Sequence, residues 1–95
     1  MNKSIEEIKH KIVPILKEAG VERSSIFGSV VHGEATEDSD VDILVELPKG
    51  KTLLDLVGLK MELKDALGTE VDLLTYRSIS PLLRDIILKE QIRIL

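Results

Sequence analysis

The 95 residues include no cysteine, so the chain can form neither disulfides nor thiolate metal sites. Aromatic residues are almost missing too, with Phe27 and Tyr76 alone. Modules that read single-stranded nucleic acid by stacking bases on aromatic platforms are therefore excluded. Asn2 and Gln91 are the only side-chain amides, and in a chain rich in charge that scarcity hints at a thermophilic source. Basic charge is in deficit: 13 Lys and Arg stand against 17 Asp and Glu, a net charge of −4. Phosphate backbones are gripped by basic faces, so direct nucleic-acid binding is not expected. No apolar run is long enough to cross a bilayer, and the N-terminus lacks an apolar signal core. A cytoplasmic protein with no membrane association is the expectation.

What the chain does have is aliphatic residues in regular patterns. Apolar residues make up 43% of it, enough to fold as one small domain spanning residues 1–95, although a chain this short buries only about 60–65% of its unfolded surface. Ser4 and Glu7 form a capping-box pair ahead of Ile5, Ile8, Ile12, Ile15 and Leu16, which repeat at helical spacing. They predict a helix from about Ser4 to Ala19, kinked at Pro14 and ended by Gly20. Val21–Phe27 reads as a strand, Gly28 as a tight turn, and Ser29–His32 as one short helix stopped by Gly33. Residues 34–39 read as polar loop. Val41, Ile43, Val45 and Leu47 alternate with more polar residues and predict a second strand, broken by Pro48, Lys49 and Gly50. Thr52 opens a helix that runs to Leu67 and closes at Gly68. Val71, Leu73 and Thr75 give a third strand. Ser80-Pro81 start a last helix that ends near Glu90, with a short edge strand over residues 93–95.

Alternation of helices and strands places the chain in the α/β or α+β class. A small mixed sheet with helices packed mainly on one face fits the order of elements. The connection between the first two strands is too short for a parallel crossover, so those strands should be antiparallel neighbours.

Chemistry concentrates between Gly28 and Asp42. Asp40 and Asp42 are two apart at the start of a strand, so their side chains leave the same face about 7 Å apart. Asp72 lies in the next strand, within Glu-Val-Asp-Leu-Leu. If the two strands are neighbours, Asp72 joins the same face at about 4.8 Å. Carboxylates crowded in this way call for a cation. Hard oxygen donors suit Mg²⁺ or Mn²⁺ shared with substrate phosphates. Two such ions about 3.5–4 Å apart can hold the attacking and leaving oxygens of a phosphoryl-type transfer. Gly28 lets the backbone approach a phosphate closely, and Ser29 adds a hydroxyl donor.

The order Gly28-Ser29, Gly33, Ser39-Asp40-Val41-Asp42 and a hydrophobic strand resembles the minimal nucleotidyltransferase family. That family falls within the DNA polymerase β-like nucleotidyltransferases and includes the antitoxins of HEPN/MNT pairs. The resemblance spans nearly the whole chain. It implies the polymerase β-like fold and transfer of a nucleotidyl group from ATP or another NTP, with Mg²⁺, to a hydroxyl on a partner such as a HEPN protein. By the same resemblance Gly28 and Ser29 match the nucleotide-binding turn, Asp40 and Asp42 the two metal-binding aspartates, and Asp72 the third carboxylate and candidate base. Val31-His32 stand where many relatives carry Arg.

Other readings of these residues fare worse. Asp38-x-Asp40-x-Asp42 begins like an EF-hand loop, but Ile43 and Lys49 fall where that loop needs Gly and Glu. Gly28 and Gly33 are spaced like P-loop glycines, but Glu34 and Ala35 replace Lys and Ser/Thr. Gly50-Lys51-Thr52 supplies that ending, with Val45 at its first Gly position. Lys49 and Lys51 read as exposed turn charges, His32 and Asp38 as surface residues, and Ser39 as a turn-ordering residue. The helix after the second strand has more apolar residues than one face needs: Leu53, Leu54, Leu56, Val57, Leu59, Met61 and Leu63. That surplus points to a helical partner or a homodimer. It also supports a rival reading, an antitoxin subunit that acts by binding alone with a weak or inactive site.

Overall fold

The computed structural model describes residues 4–33 and 40–95. Its elements run α1 (Ile5–Glu18), β1 (Arg23–Phe27), a 3-10 turn (Gly28–Val30), β2 (Val41–Glu46), α2 (Leu53–Leu67), β3 (Val71–Thr75), a second 3-10 turn (Tyr76–Ser78), α3 (Pro81–Glu90) and β4 (Ile92–Arg93). The expected loop at residues 34–39, with Asp38 and Ser39, lies outside the described residues.

α1 starts where the Ser4 hydroxyl accepts the Glu7 N–H at 3.1 Å, and it runs on through Pro14. It closes on Gly20 at φ +80°, with the Val21 N–H returning to the Leu16 carbonyl at 3.0 Å. That closure takes Val21 out of the expected strand, and β1 begins at Arg23. α2 is capped reciprocally by Thr52 and Asp55, and Gly68 ends it in the left-handed region, φ +67°.

The four strands form one mixed sheet in the order β3-β2-β1-β4. β1 pairs with β2 and with β4 antiparallel, and β2 pairs with β3 parallel. α2 therefore serves as the crossover that a parallel neighbour requires. One face of the sheet carries the main core: Ile8, Ile12 and Leu16 of α1 and Leu59 and Leu63 of α2 close over Val41, Ile43, Val45, Val71 and Leu73. The other face is covered over part of its length. There Phe27, Leu44, Tyr76 and Ile79 cluster, with Leu74 of β3 and Ile87 and Leu88 of α3 against them. Two of the three helices thus share one face, and α3 contributes to the other.

That second layer explains why the central strands do not alternate in burial as a half-buried strand would. Leu44 is as fully buried as Ile43 and Val45, because β2 is sandwiched along its middle. Buried Ser25 and Tyr76 share a hydrogen bond of 2.8 Å, and Ser24 donates to the Leu44 carbonyl at 2.8 Å. Among the described residues no helix is long and apolar enough to cross a membrane.

Candidate active site

Register decides what the second face offers. Phe27 pairs with Asp42, and Asp42 pairs with Asp72. The next row on that face is Ser25, Leu44 and Leu74, and Arg23 and Glu46 follow. The first row sits at the leading ends of β2 and β3, beyond the cover that Tyr76 and Ile79 give to Leu44. It holds two carboxylates on adjacent parallel strands, spaced laterally by about 4.8 Å. Asp40 precedes β2 by one residue and is exposed, as is Asp72, whereas Asp42 is half-buried.

Burial first, then the charge of Asp72, then that of Asp40, push the Asp42 carboxyl up from 3.8 to about 6. All three causes act in the same direction. Removing water raises the cost of the anion, and each neighbouring carboxylate raises it further. The Asp42 side chain is pressed against Gly28, which leaves β1 at φ +78°. A Cβ at residue 28 would overlap the Asp42 carboxylate, lying 3.0 Å from its Cγ. Gly28 is therefore required twice over, by its conformation and by its neighbour.

The chain after Gly28 is a single 3-10 turn, not the short helix expected over residues 29–32. Val31 donates to the Gly28 carbonyl at 3.1 Å, and Gly33 donates to the Val30 carbonyl at 3.3 Å. The chain tightens there because Val30 is turned into the core. A turn of three residues has little macrodipole, so any phosphate held here would depend on local N–H groups, the Ser29 hydroxyl and a cation. Ser29 is half-buried. His32 is exposed, as expected, and its Nε2 lies 3.0 Å from Glu90 Oε2, tying the turn to the end of α3.

Among the described residues, no three carboxylate or imidazole groups already close around a point as a metal cage would. The donors nevertheless have the chemistry of a Mg²⁺ or Mn²⁺ site completed by substrate. They are all oxygen, they repel one another, and two stand in register on a rigid sheet. A divalent ion held there would offset the burial and the carboxylate repulsion that raise the Asp42 carboxyl.

Comparison with known proteins identifies the family of the chain. The family model described as "Nucleotidyltransferase domain" matches residues 9–94. A Methanocaldococcus jannaschii protein named as a candidate protein adenylyltransferase, MJ0435, is 60% identical over 92 residues, covering 97% of this chain and 99% of that protein. Protein adenylyltransferase MntA of Thermococcus cleftensis is 38% identical over 91 residues, covering 92% of each. A solved structure described as a candidate minimal nucleotidyltransferase superposes with a TM-score of 0.81 at 39% identity, covering 95% of both chains. A toxin-antitoxin crystal structure with AMP-PNP superposes with a TM-score of 0.80 at 26% identity, covering 92% of this chain and 72% of that one.

Proposed function

The chain belongs to the minimal nucleotidyltransferase family and is a nucleotidyltransferase, and from that premise we propose that it transfers AMP from ATP to a hydroxyl of a partner protein. The observation that carries the site assignment is the row Asp42–Asp72, with Gly28 packed beneath Asp42. The names of the adenylyltransferase relatives favour ATP and a protein acceptor. The structural likeness to a toxin-antitoxin chain crystallised with AMP-PNP favours the antitoxin role, and the family resemblance of the sequence makes a HEPN-type toxin the expected acceptor. A cytoplasmic setting goes with that role.

Asp40, Asp42 and Asp72 would hold Mg²⁺, two ions in the full arrangement, with Mn²⁺ as an alternative. When bound, the metal neutralises charge on the phosphates. The rest of the work falls to the chain. The Gly28-Ser29 turn accepts a phosphate close to the backbone, with the Ser29 hydroxyl as donor. The β2–β3 register holds Asp42 and Asp72 side by side, which would position the substrate before the reaction begins. Exposed Asp72 takes the proton of the acceptor hydroxyl. The acceptor oxygen bonds to the α-phosphorus, the bond from that phosphorus to the bridging oxygen breaks, and pyrophosphate leaves.

The test uses two labels. ATP labelled at the α-phosphate should mark the partner protein in the presence of Mg²⁺, and ATP labelled at the γ-phosphate should not. Labelling from the γ-phosphate would mean phosphoryl transfer and would overturn the assignment.

A further inference from the structure

A groove of about 760 Å³ opens at the opposite end of the sheet from the carboxylates, where β2 and β3 finish and the first turns of α2 and α3 begin. Asp42 and Glu46 are four residues apart on β2, so its mouth is about 13 Å from the carboxylate row. Its charge is opposite to that of the chain. Arg23, Lys49, Lys51, Arg77 and Arg84 line it with a single carboxylate, Glu46, in a protein whose net charge is −4.

Among the described residues Arg23 is paired with Glu46, and the other four cations form no ion pair. Arg23 Nε lies 3.1 Å from Glu46 Oε2, but the approach lacks hydrogen-bond geometry and that buried nitrogen has no hydrogen-bond partner. The Arg23 guanidinium rests on the Tyr76 ring, 4.1 Å from its centre, and Arg84 is steadied by a 3.2 Å bond to the Tyr76 carbonyl. Two guanidinium forks are thus held in place around one buried aromatic. Lys49, Lys51 and Arg77 are exposed and form no ion pair among the described residues. Lys51 is attracted by the Asp55 carboxylate, which also accepts from the Thr52 N–H and hydroxyl. Like charges collected in a groove with apolar walls raise the local potential and favour an anionic occupant.

The surroundings say which kind. The first turns of α2 and α3 expose Leu53 and Leu54, and Leu82 and Leu83. A nucleic-acid strand would leave these leucines wet, and it would find no exposed ring to stack on, since Tyr76 is buried. An amphipathic segment that alternates carboxylates with leucine-like side chains satisfies both features.

We propose that this groove docks an acidic, leucine-bearing segment of the acceptor protein, apart from the carboxylate site and on the same domain. The proposal rests on the acceptor being a protein, and it adds the surface that would recognise it.

The test reads binding, not transfer. The probe is a fluorescein-labelled amphipathic peptide of leucine and glutamate, followed by anisotropy at low and high salt. The wild-type domain should bind it, with affinity falling as salt rises. The triple variant Lys49→Glu/Lys51→Glu/Arg77→Glu, changed only at exposed positions, should keep its melting temperature and ATP binding and lose at least roughly tenfold in peptide affinity. Asp42→Asn should bind the peptide like wild type. Equal binding by the triple variant, or none by wild type, overturns the proposal. A labelled oligonucleotide that binds more tightly than the peptide, and loses its binding in the triple variant, would make the groove a nucleic-acid site. Light scattering that shows a wild-type dimer turned to monomer by the triple variant would assign the groove to a second copy. A wild-type protein that transfers AMP but does not bind the peptide would remove the docking surface alone. Peptide bound in the groove without any transfer would remove the enzyme reading and leave the docking surface standing.

Discussion

The Asp42 carboxylate occupies the space that a side chain at residue 28 would need. Gly28 and Asp42 therefore form one unit, in which the turn after β1 and the head of β2 fit only if residue 28 has no Cβ. Gly28→Ala combines a left-handed backbone, φ +78°, with direct overlap, and should cost about 2–4 kcal/mol by the sum of conformational strain and displacement of Asp42. Thermal unfolding should show the loss, and calorimetric titration with ATP and Mg²⁺ should show binding abolished even where the variant stays folded. Wild-type binding by Gly28→Ala would separate the turn from the site.

The raised Asp42 carboxyl makes a prediction with a definite sign. Its folded value, about 6, exceeds its ordinary 3.8, so the folded state holds this proton more tightly than the unfolded one. The resulting stability is fully present below about pH 3.8 and is lost as pH rises to about 6. Asp42→Asn should therefore stabilise the metal-free protein at pH 7.5 by about 1–2 kcal/mol, reduced from the full shift because the group is half open to solvent, and should do little at pH 4. Mg²⁺ should bind more weakly at pH 5 than at pH 7.5, since the proton must leave first. Denaturant unfolding of both proteins across this range, without and with Mg²⁺, is the measurement.

The Ser25–Tyr76 hydrogen bond is internal to the fold and lies one row along the sheet from the carboxylates. Tyr76→Phe leaves the Ser25 hydroxyl buried with its partner removed and should cost about 1–2 kcal/mol. ATP binding should stay within a factor of about two of wild type. A larger effect on binding than on stability would mean that this layer communicates with the site.

The outer face of α2 should be an association surface. Leu54, Val57 and Met61 are exposed at 82%, 46% and 62%, and they fall three and four residues apart, forming one stripe. Leu54→Glu/Met61→Glu should abolish homodimerisation or partner binding, whichever light scattering detects in the wild type, and leave the melting temperature within about 2 °C. Undiminished association in the double variant would move the interface elsewhere.

Much of this was legible in the chain because local signals agreed with the fold. Ser4, Gly20, Thr52, Gly68 and Pro81 punctuate the helices at or next to their observed ends. The antiparallel β1–β2 pair followed from the short connection between its strands. Asp40, Asp42, Gly28 and Ser29 stood out because their spacing is local. Asp72 needed the parallel register with β2, which sequence alone could only suppose. The second buried layer was hidden, since Leu44 and Phe27 look like ordinary strand residues until Tyr76 and Ile79 cover them. The single 3-10 turn after Gly28 was missed because Val30 is drawn into the core instead of continuing a helix. The basic groove was invisible for a related reason. Arg23, Arg77 and Arg84 are dispersed along the chain, and Lys49 and Lys51 looked like turn charges until the sheet brought all five together.

The central claim is that Asp40, Asp42 and Asp72 carry nucleotidyl transfer. It is tested most directly by following label from α-labelled ATP onto the cognate partner protein, with Mg²⁺, for wild type, Asp40→Ala, Asp42→Ala and Asp72→Ala. Partner neutralisation is scored in the same samples. Wild type should label the partner, and each variant should fall by about two orders of magnitude or more while remaining folded. If no sample transfers label and all four neutralise the partner equally well, the domain acts by binding alone and the carboxylate row is not an active site.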